Sequence, residues 1–545
     1  MKTLKTTAVA VTLGLASVAA LSAAVQTEGY ENGKAELDIS MIAHYSANET
    51  NTDGGVMEIV DYNPSNGFAY AVNGQKGVLT AISYSGSAEL SGRDIDVKAM
   101  VESDDFAYGD MTSVAVSPDG SLLAVALQDE AYDKNGRIAL FACNADGSIA
   151  LKELFMAGIQ PDMVTFSPDG KYILSADEGE PREGYESVDP AGSVTVVDIA
   201  NSSEKTIGFE SFDSTPLYDE SIIMQKGTLP SRDFEPEYIA VSGNNAYITL
   251  QEANAIAVLD LETMSFSGIY SAGFEDYAKV PVDIDKKDDA YAPKVYENLK
   301  GIRMPDGIAA FTVDGKTYLV TANEGDAREW GDYLNEDERD FGDGDTSPTG
   351  RITAENSSLE GKVVFLASDD YNGLNEDTDY LYGGRSLTIY EVTETGLSEV
   401  FTSADDAERI TFSYLPDYYN SSNDNAVLDD RSGKKGPEAE AVTTGVVDGR
   451  TYAFLALERT GGIMVYDVTE PSDSRYINYI NTRDFETIIP GTEVYEDGEL
   501  DKWVTGGDVA PEGLEFVPAS DSPTGNALLI VAFEVSGTVA VYELH

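Results

Sequence analysis

Only one cysteine, two histidines and two tryptophans occur in 545 residues. A lone Cys143 excludes an intrachain disulfide, and its apolar setting, RIALFACN, reads as core. With His44 and His545 alone, a Ser–His–Asp apparatus has almost nothing to draw on. Zinc, copper and haem sites lack their usual ligands for the same reason. Helical periodicity is nearly absent, and no GxSxG, P-loop or GxGxxG stands between a strand and a helix. Basic charge is also scarce: 35 Lys+Arg face 97 Asp+Glu, a net of −62. Such a surface repels nucleic-acid phosphates and anionic lipid, so both are excluded as partners. It suits metal cations or basic ligands.

The N-terminus has the pattern of a signal peptide. Lys2 and Lys5 precede an apolar run from Ala8 to Leu21, then come Ser22, Ala23 and Ala24. The run is short for a membrane span, and no other segment is a candidate. Residues 1–24 are expected to be cleaved, with 25–36 a linker and a secreted or periplasmic product.

What remains is repetitive. QPDMVTFSPDGKYILSADEGEP from Gln160 is followed by GSVTVVDI at Gly192. EPEYIAVSGNNAYITLQEANAIAVLDL runs from Glu235 to Leu261. MPDGIAAFTVDGKTYLVTANEGDARE from Met304 is followed by GRSLTIYEV at Gly384. GPEAEAVTTGVVDGRTYAFLALERTGGIMVYDV starts at Gly436, and APEGLEFVPASDSPTGNALLIVAFEVSGTVAVYEL at Ala510. Two weaker copies begin near Gly55 and Tyr108. Each copy reads strand, tight turn, strand, strand, and most are followed by a fourth strand. Seven such units predict an all-β chain folded as a seven-bladed β-propeller over 37–545. The last copy ends at its third strand. Leu37 to Ser46, which has no partner of its own, is expected to supply the missing outer strand and remove an open edge. Acidic insertions at about 274–303, 325–383 and 404–435 interrupt the units.

The repeats share an acid before the first strand: Glu58, Asp110, Asp162, Glu237, Asp306, Glu438 and Glu512. Most share another after the second strand: Asp129, Glu178, Glu252, Glu324, Glu458 and Glu534, with Gln75 in the first unit. Antiparallel pairing sets the start of one strand beside the end of the next. Both sets therefore fall at one face of the expected propeller. A hydrogen bond to the local turn could hold any one such acid, but it does not explain both sets. Two carboxylates about 5 Å apart repel by roughly 3 kcal/mol at an effective dielectric near 20. Either several are protonated, or cations or arginines compensate. Hard oxygen donors suit Ca²⁺, so all of these acids except Asp129 are candidate ligands. Arg328, Arg459, Arg182 and Arg232 are candidates for pairing instead.

PDMVTFSPDGKYILSADEGEP, FEPEYIAV with ITLQEANAIAVLDL, MPDGIAAF with LVTANEGDARE, and GPEAEAV with LALERTGGIMVYDV resemble the choice-of-anchor I family. The resemblance covers nearly all of the chain after the leader. It implies a secreted or surface-displayed propeller of the YVTN/WD-like type. Some relatives are labelled alkaline phosphatase, and the acids are similar in kind to those of calcium-dependent phosphatase and phytase-like propellers. Two readings follow. One is a Ca²⁺-binding extracellular or surface module directed at a surface ligand. The other is a Ca²⁺-dependent phosphoesterase acting on phosphorylated small molecules, with Glu324, Arg328 and Arg459 as catalytic candidates.

Overall fold

The protein is seen in a computed structural model that describes residues 25–28, 37–88, 90–214, 221–342, 352–353, 357–490 and 503–545. The expected signal peptide at 1–24 and residues 29–36 of the linker lie outside the described residues.

The chain is all-β in its framework, and among the described residues seven antiparallel sheets form it, six of four strands and one of five. Their first strands are Val60–Asn63, Tyr108–Val116, Pro161–Phe166, Pro236–Ser242, Ile308–Val313, Ala439–Val447 and Pro511–Val517. Each of these pairs with the strand that follows it across a tight turn, as in SPDG at Ser167–Gly170. The second strands are the most deeply buried. Tyr172–Asp177 and Ala527–Phe533 have no accessible residue, as β-branched and small apolar side chains on both faces require.

The sheets pack in chain order, and an apolar cluster fills each junction. Leu123 and Val125 meet Tyr70 and Leu79 between the first and second sheets. Leu174 meets Ile248 between the third and fourth. Leu529 meets Phe454 between the sixth and seventh. Ile530 and Val541 of the seventh sheet pack on Ala71 and Ile82 of the first. First strands neighbour one another in the same order, and the seventh neighbours the first.

The segment expected to complete the last sheet does so. Ile39–Ser46 pairs antiparallel with Thr538–Leu544, Ile39 opposite Leu544 and Ser46 opposite Thr538. His44 Nε2 lies 2.7 Å from Asp508 Oδ1 and ties this strand to the seventh sheet. Val25–Glu28 adds a fifth strand to the sixth sheet, on Arg475–Asn481.

The three insertions are built structures. Phe274–Asp276, Leu299–Ile302 and Asp379–Tyr382 form a small sheet across the first two. Glu336–Asp340 pairs with Lys362–Leu366, and the third carries a helix, Asp406–Tyr414. Tyr277, Ile284, Phe341, Phe365 and Leu381 form a core of their own. One buried guanidinium ties the insertions together. Arg385 donates to Asp283 O (2.8 Å), Glu408 Oε1 (2.5 Å), Ser432 O (2.8 Å) and Lys434 O (2.6 Å).

Two expected outcomes follow from this packing. Deleting residues 37–46 exposes the edge of Thr538–Leu544 and removes the Ile39 and Ala43 contacts. The variant should aggregate and melt lower, read by size-exclusion chromatography and calorimetry. The second concerns Asp177, which accepts from Ser175 (2.9 Å), Ser193 (3.0 Å) and Thr195 (2.7 Å). Asn323 holds the same place in the fifth sheet, with Thr321, Ser386 and Thr388 as partners. Burial pushes the Asp177 carboxyl up to about 7, above its unfolded value. Its contribution is therefore complete in acid and lost as pH rises through about 7. Asp177→Asn should gain about 1–2 kcal/mol on the parent between pH 5 and pH 8, measured by urea unfolding.

Candidate metal centre

The acids gather. Glu58, Asp110, Asp162, Glu237, Asp306, Glu324, Glu458, Glu512 and Glu534 line one cavity of about 680 Å³. Bulges in the inner strands place three of them, Asp162, Glu237 and Glu512. The ladder slips between Pro161 and Met163, between Pro236 and Ile239, and between Pro511 and Leu514. Each slip turns an acid out of the sheet. Close backbone makes room for the carboxylates. Gly54 and Gly74 carry no side chain where Glu534 and Glu58 lie, and Gly55 N–H donates to Glu534 Oε2 at 3.2 Å.

Three sets of carboxylates bring donor oxygens within 4.8 Å of one another: Asp162, Glu178 and Glu237; Asp306, Glu324 and Glu440; Glu324, Glu438 and Glu458. Glu252 stands behind them, beside Glu235 and Arg328. Its Oε2 is buried without a hydrogen-bond partner among the described residues. Asp129 does not join. Its carboxylate accepts from Ala107 N–H and Ala131 N–H at the turn, the local role open to any acid there.

The sixth sheet departs from the pattern in its sequence. Gln160, Met304 and Ala510 are left-handed, with φ of 54°, 43° and 60°, and the cavity acid stands two residues on. In the sixth sheet the left-handed residue is Glu438 itself, φ 64°. Its carbonyl accepts from Glu458 N–H at 2.9 Å, as Gln160 O accepts from Glu178 N–H at 3.0 Å. Two residues on stands Glu440, which lines the cavity. Pro437–Glu438 imitates Pro161–Asp162 in sequence but sits two positions earlier in the fold. Glu440 therefore takes the place that the sequence pattern assigned to Glu438.

Glu438 has another task. It is wholly buried, with Arg431 Nη2 at 2.7 Å, Lys435 Nζ at 2.7 Å and Arg459 Nε at 3.2 Å. Burial opposes its charge, but these three cations together hold the carboxyl well below the usual range. Lys435 also meets Glu324 Oε1 at 2.5 Å, and Arg459 meets Glu458 Oε1 at 3.0 Å. Arg431 and Lys435 come from the third insertion, in the stretch RSGKK, which carried no periodic signal. The same insertion sets Ser422, Asn423 and Asp424 on the cavity wall. Arg483 fixes that strap by donating to Ser422 O and Asn425 O, both at 2.7 Å.

The other arginines lie elsewhere. Arg328 is fully buried outside the cavity wall, donating to Asp233 Oδ1 and Asp233 O, each at 3.1 Å. Gly325 carries the chain away from Glu324. Its φ is 82°, and a Cβ there would lie 2.0 Å from Gly383 N. Arg232 donates to Asp189 O, and Arg182 pairs with Glu180 at 2.9 Å and stands 3.6 Å from Glu178.

The uncompensated acids bear the strain of burial and of one another. Burial, then Asp110 and Asp162, push Glu58 up to about 8. Burial, then Glu180, push Asp162 up to about 6 despite Arg182. Burial, then Glu178 and Glu252, hold Glu237 well above the ordinary range.

These shifts have a defined sign. Folded values above unfolded ones contribute stability in acid and lose it as pH rises through about 6 to 8. In chelator the melting temperature should fall from pH 5 to pH 8, and saturating Ca²⁺ should flatten that fall. Arg328→Ala leaves Asp233 and Glu235 buried without their partner, so urea unfolding should show a loss of about 3–5 kcal/mol with metal content unchanged.

The comparisons with known proteins bear on residues 58–471, which match the model of the choice-of-anchor I domain. The chain is 25% identical over 174 residues to Gigasin-3a of Magallana gigas, covering 31% of this chain and 58% of that protein. It is 26% identical over 276 residues to the mesenchyme-specific cell surface glycoprotein of Strongylocentrotus purpuratus, covering 44% of this chain and 35% of that one. The match thus spans about half of one curated relative and a third of the other. Among solved structures it is similar to Kuenenia stuttgartiensis hydrazine synthase, at 13% identity and a TM-score of 0.44 over 94% of this chain and 98% of that one. On the extent of the domain match, the chain belongs to the choice-of-anchor I family.

Proposed function

We propose that this chain is an extracellular or surface-displayed seven-bladed β-propeller whose acidic cavity binds Ca²⁺, and that it acts as a binding module. Seven sheets of four or five strands, each packed on the next and the seventh on the first, support the propeller. The name of the sea-urchin relative supports a place outside the cell.

One observation carries the metal reading. Asp162, Glu178 and Glu237 bring one oxygen each within 4.8 Å of one another, and no lysine or arginine makes an ion pair with Asp162 or Glu237 among the described residues. The donors are all carboxylate oxygen, the set that hard divalent cations prefer. Three carboxylates leave part of a Ca²⁺ coordination sphere of six to eight oxygens facing the cavity, open to a ligand's oxygens. A bound ion also relieves the repulsion that otherwise raises these groups.

The charge balance of the cavity favours binding over phosphate chemistry. Thirteen carboxylates line it against Arg431, Lys435 and Arg459. Those three cations are engaged with Glu438, Glu458 and Glu324, and Arg328 with Asp233. None is free to clamp a phosphate, and an anion would enter against the field.

Glu237→Gln tests this reading. It should lower the calcium content, found by elemental analysis after desalting, and shrink the rise in melting temperature that Ca²⁺ produces. In chelator the variant should melt at or above the parent, because a repelling charge is gone. Equal destabilisation in both media would assign Glu237 a hydrogen-bonding role. The parent should release no phosphate from p-nitrophenyl phosphate with or without Ca²⁺, and release abolished in Glu324→Gln would restore the phosphoesterase.

A further inference from the structure

The three carboxylate sets are not alike, and Lys435 makes the difference. Its Nζ lies 2.5 Å from Glu324 Oε1 and 2.7 Å from Glu438 Oε1. Those are ligand distances for a small cation held between two carboxylates. Glu324, Glu438 and Glu458 are the same three residues whose oxygens converge within 4.8 Å. Arg459 reaches Glu438 and Glu458, and Arg431 reaches Glu438, from the rim. Three buried acids thus meet three cations of the chain, and the set is balanced. At Asp162, Glu178 and Glu237 only Arg182 approaches, 3.6 Å from Glu178 and turned towards Glu180.

We propose that Lys435 is the resident cation of the third set and decides how many divalent ions the cavity takes. This rests on the reading of the cavity as a Ca²⁺ site. An ammonium offers one charge on a tether, where Ca²⁺ offers two and needs six or more oxygens. A metal can enter between Glu324, Glu438 and Glu458 only if the ammonium leaves, and the fold holds it in place. Arg385 grips Lys434 O beside it at 2.6 Å. Gly436, φ 66°, follows it where a Cβ would lie 3.1 Å from the Arg385 side chain. The insertion that ends at Lys435 is therefore a specificity device. It closes the set at Glu438 to metal, engages the Glu324 that this set shares with Asp306 and Glu440, and leaves the set at Asp162 open.

Lys435→Gln tests it, with Lys435→Arg as the control that keeps the charge. Each protein is stripped with chelator, reloaded with Ca²⁺ and desalted, and calcium per chain is counted. Lys435→Gln should hold one more ion than the parent, and Lys435→Arg the same number. In chelator Lys435→Gln should melt well below the parent, because Glu438 loses a close cation, and Ca²⁺ should restore it. The double variant Lys435→Gln/Glu438→Gln should lose the extra ion again. An equal count in Lys435→Gln and parent overturns the role of Lys435 while leaving the Asp162 set intact. So does a variant unfolded in Ca²⁺ as in chelator, since the ion then fails to replace the ammonium. Calcium in neither protein overturns this inference together with the cavity reading. Calcium in Lys435→Gln alone upholds the inference and overturns the reading of the parent.

Discussion

Repulsion between carboxylates that cannot reach bulk water is the constraint on which this molecule turns. Ten acids from the repeats, Glu440 among them, and three more from turns and insertions face a single cavity. At a few ångströms and an effective dielectric near 20, each close pair opposes folding by roughly 3 kcal/mol if ionised. Net stabilities of folded domains are about 5–15 kcal/mol, so an unrelieved set of this size is not sustainable. Protonation, internal cations and bound metal are the available remedies. The cavity has sectors suited to different ones. Glu438 is held ionised by Arg431, Lys435 and Arg459. Among the described residues Glu58 and Glu237 have no such partner, and burial with neighbouring carboxylates raises both above the ordinary range.

The framework and the insertions divide the work. The framework brings acids together because the sheets repeat one antiparallel pattern, and five of the seven first strands carry a bulge near their start. A repeat cannot put an acid at one sheet and a base at the next without breaking its own pattern. Positive charge therefore enters mainly through the insertion at 404–435, whose sequence lies outside the repeat pattern although Ala407, Ile410 and Leu415 pack on the fifth and sixth sheets. Arg385 and Arg483 carry out the docking, each buried and each donating chiefly to backbone carbonyls. Such bonds fix a strap without adding another acid to the cluster.

Periodicity carried the fold. The alternation of strands and turns, repeated seven times, was legible because sheet pairing is local within each unit, and the strand at Leu37–Ser46 stood out as an unpaired remainder. The candidate site was legible in part. Acids at equivalent repeat positions had to converge if the sheets packed alike, and most did. Glu438 and Glu440 show where the pattern misled. A Pro–Glu pair in the expected frame hid a shift of two residues that only a left-handed backbone at Glu438 reveals. Arg328 shows another failure. Four residues from Glu324, it is carried by the turn at Gly325 into a separate buried pair with Asp233.

The sequence by itself determined the strand units, the excess of acid and the poverty of histidine and cysteine, because these follow from residue identity and short-range period. Tertiary structure alone decided which acids are relieved by lysine or arginine and which are not. That choice depends on contacts between residues far apart in sequence, such as Lys435 with Glu324 and Arg328 with Asp233. Coulomb energy depends on distance in space and on burial. No spacing along the chain encodes either one across an insertion that lies outside the repeat.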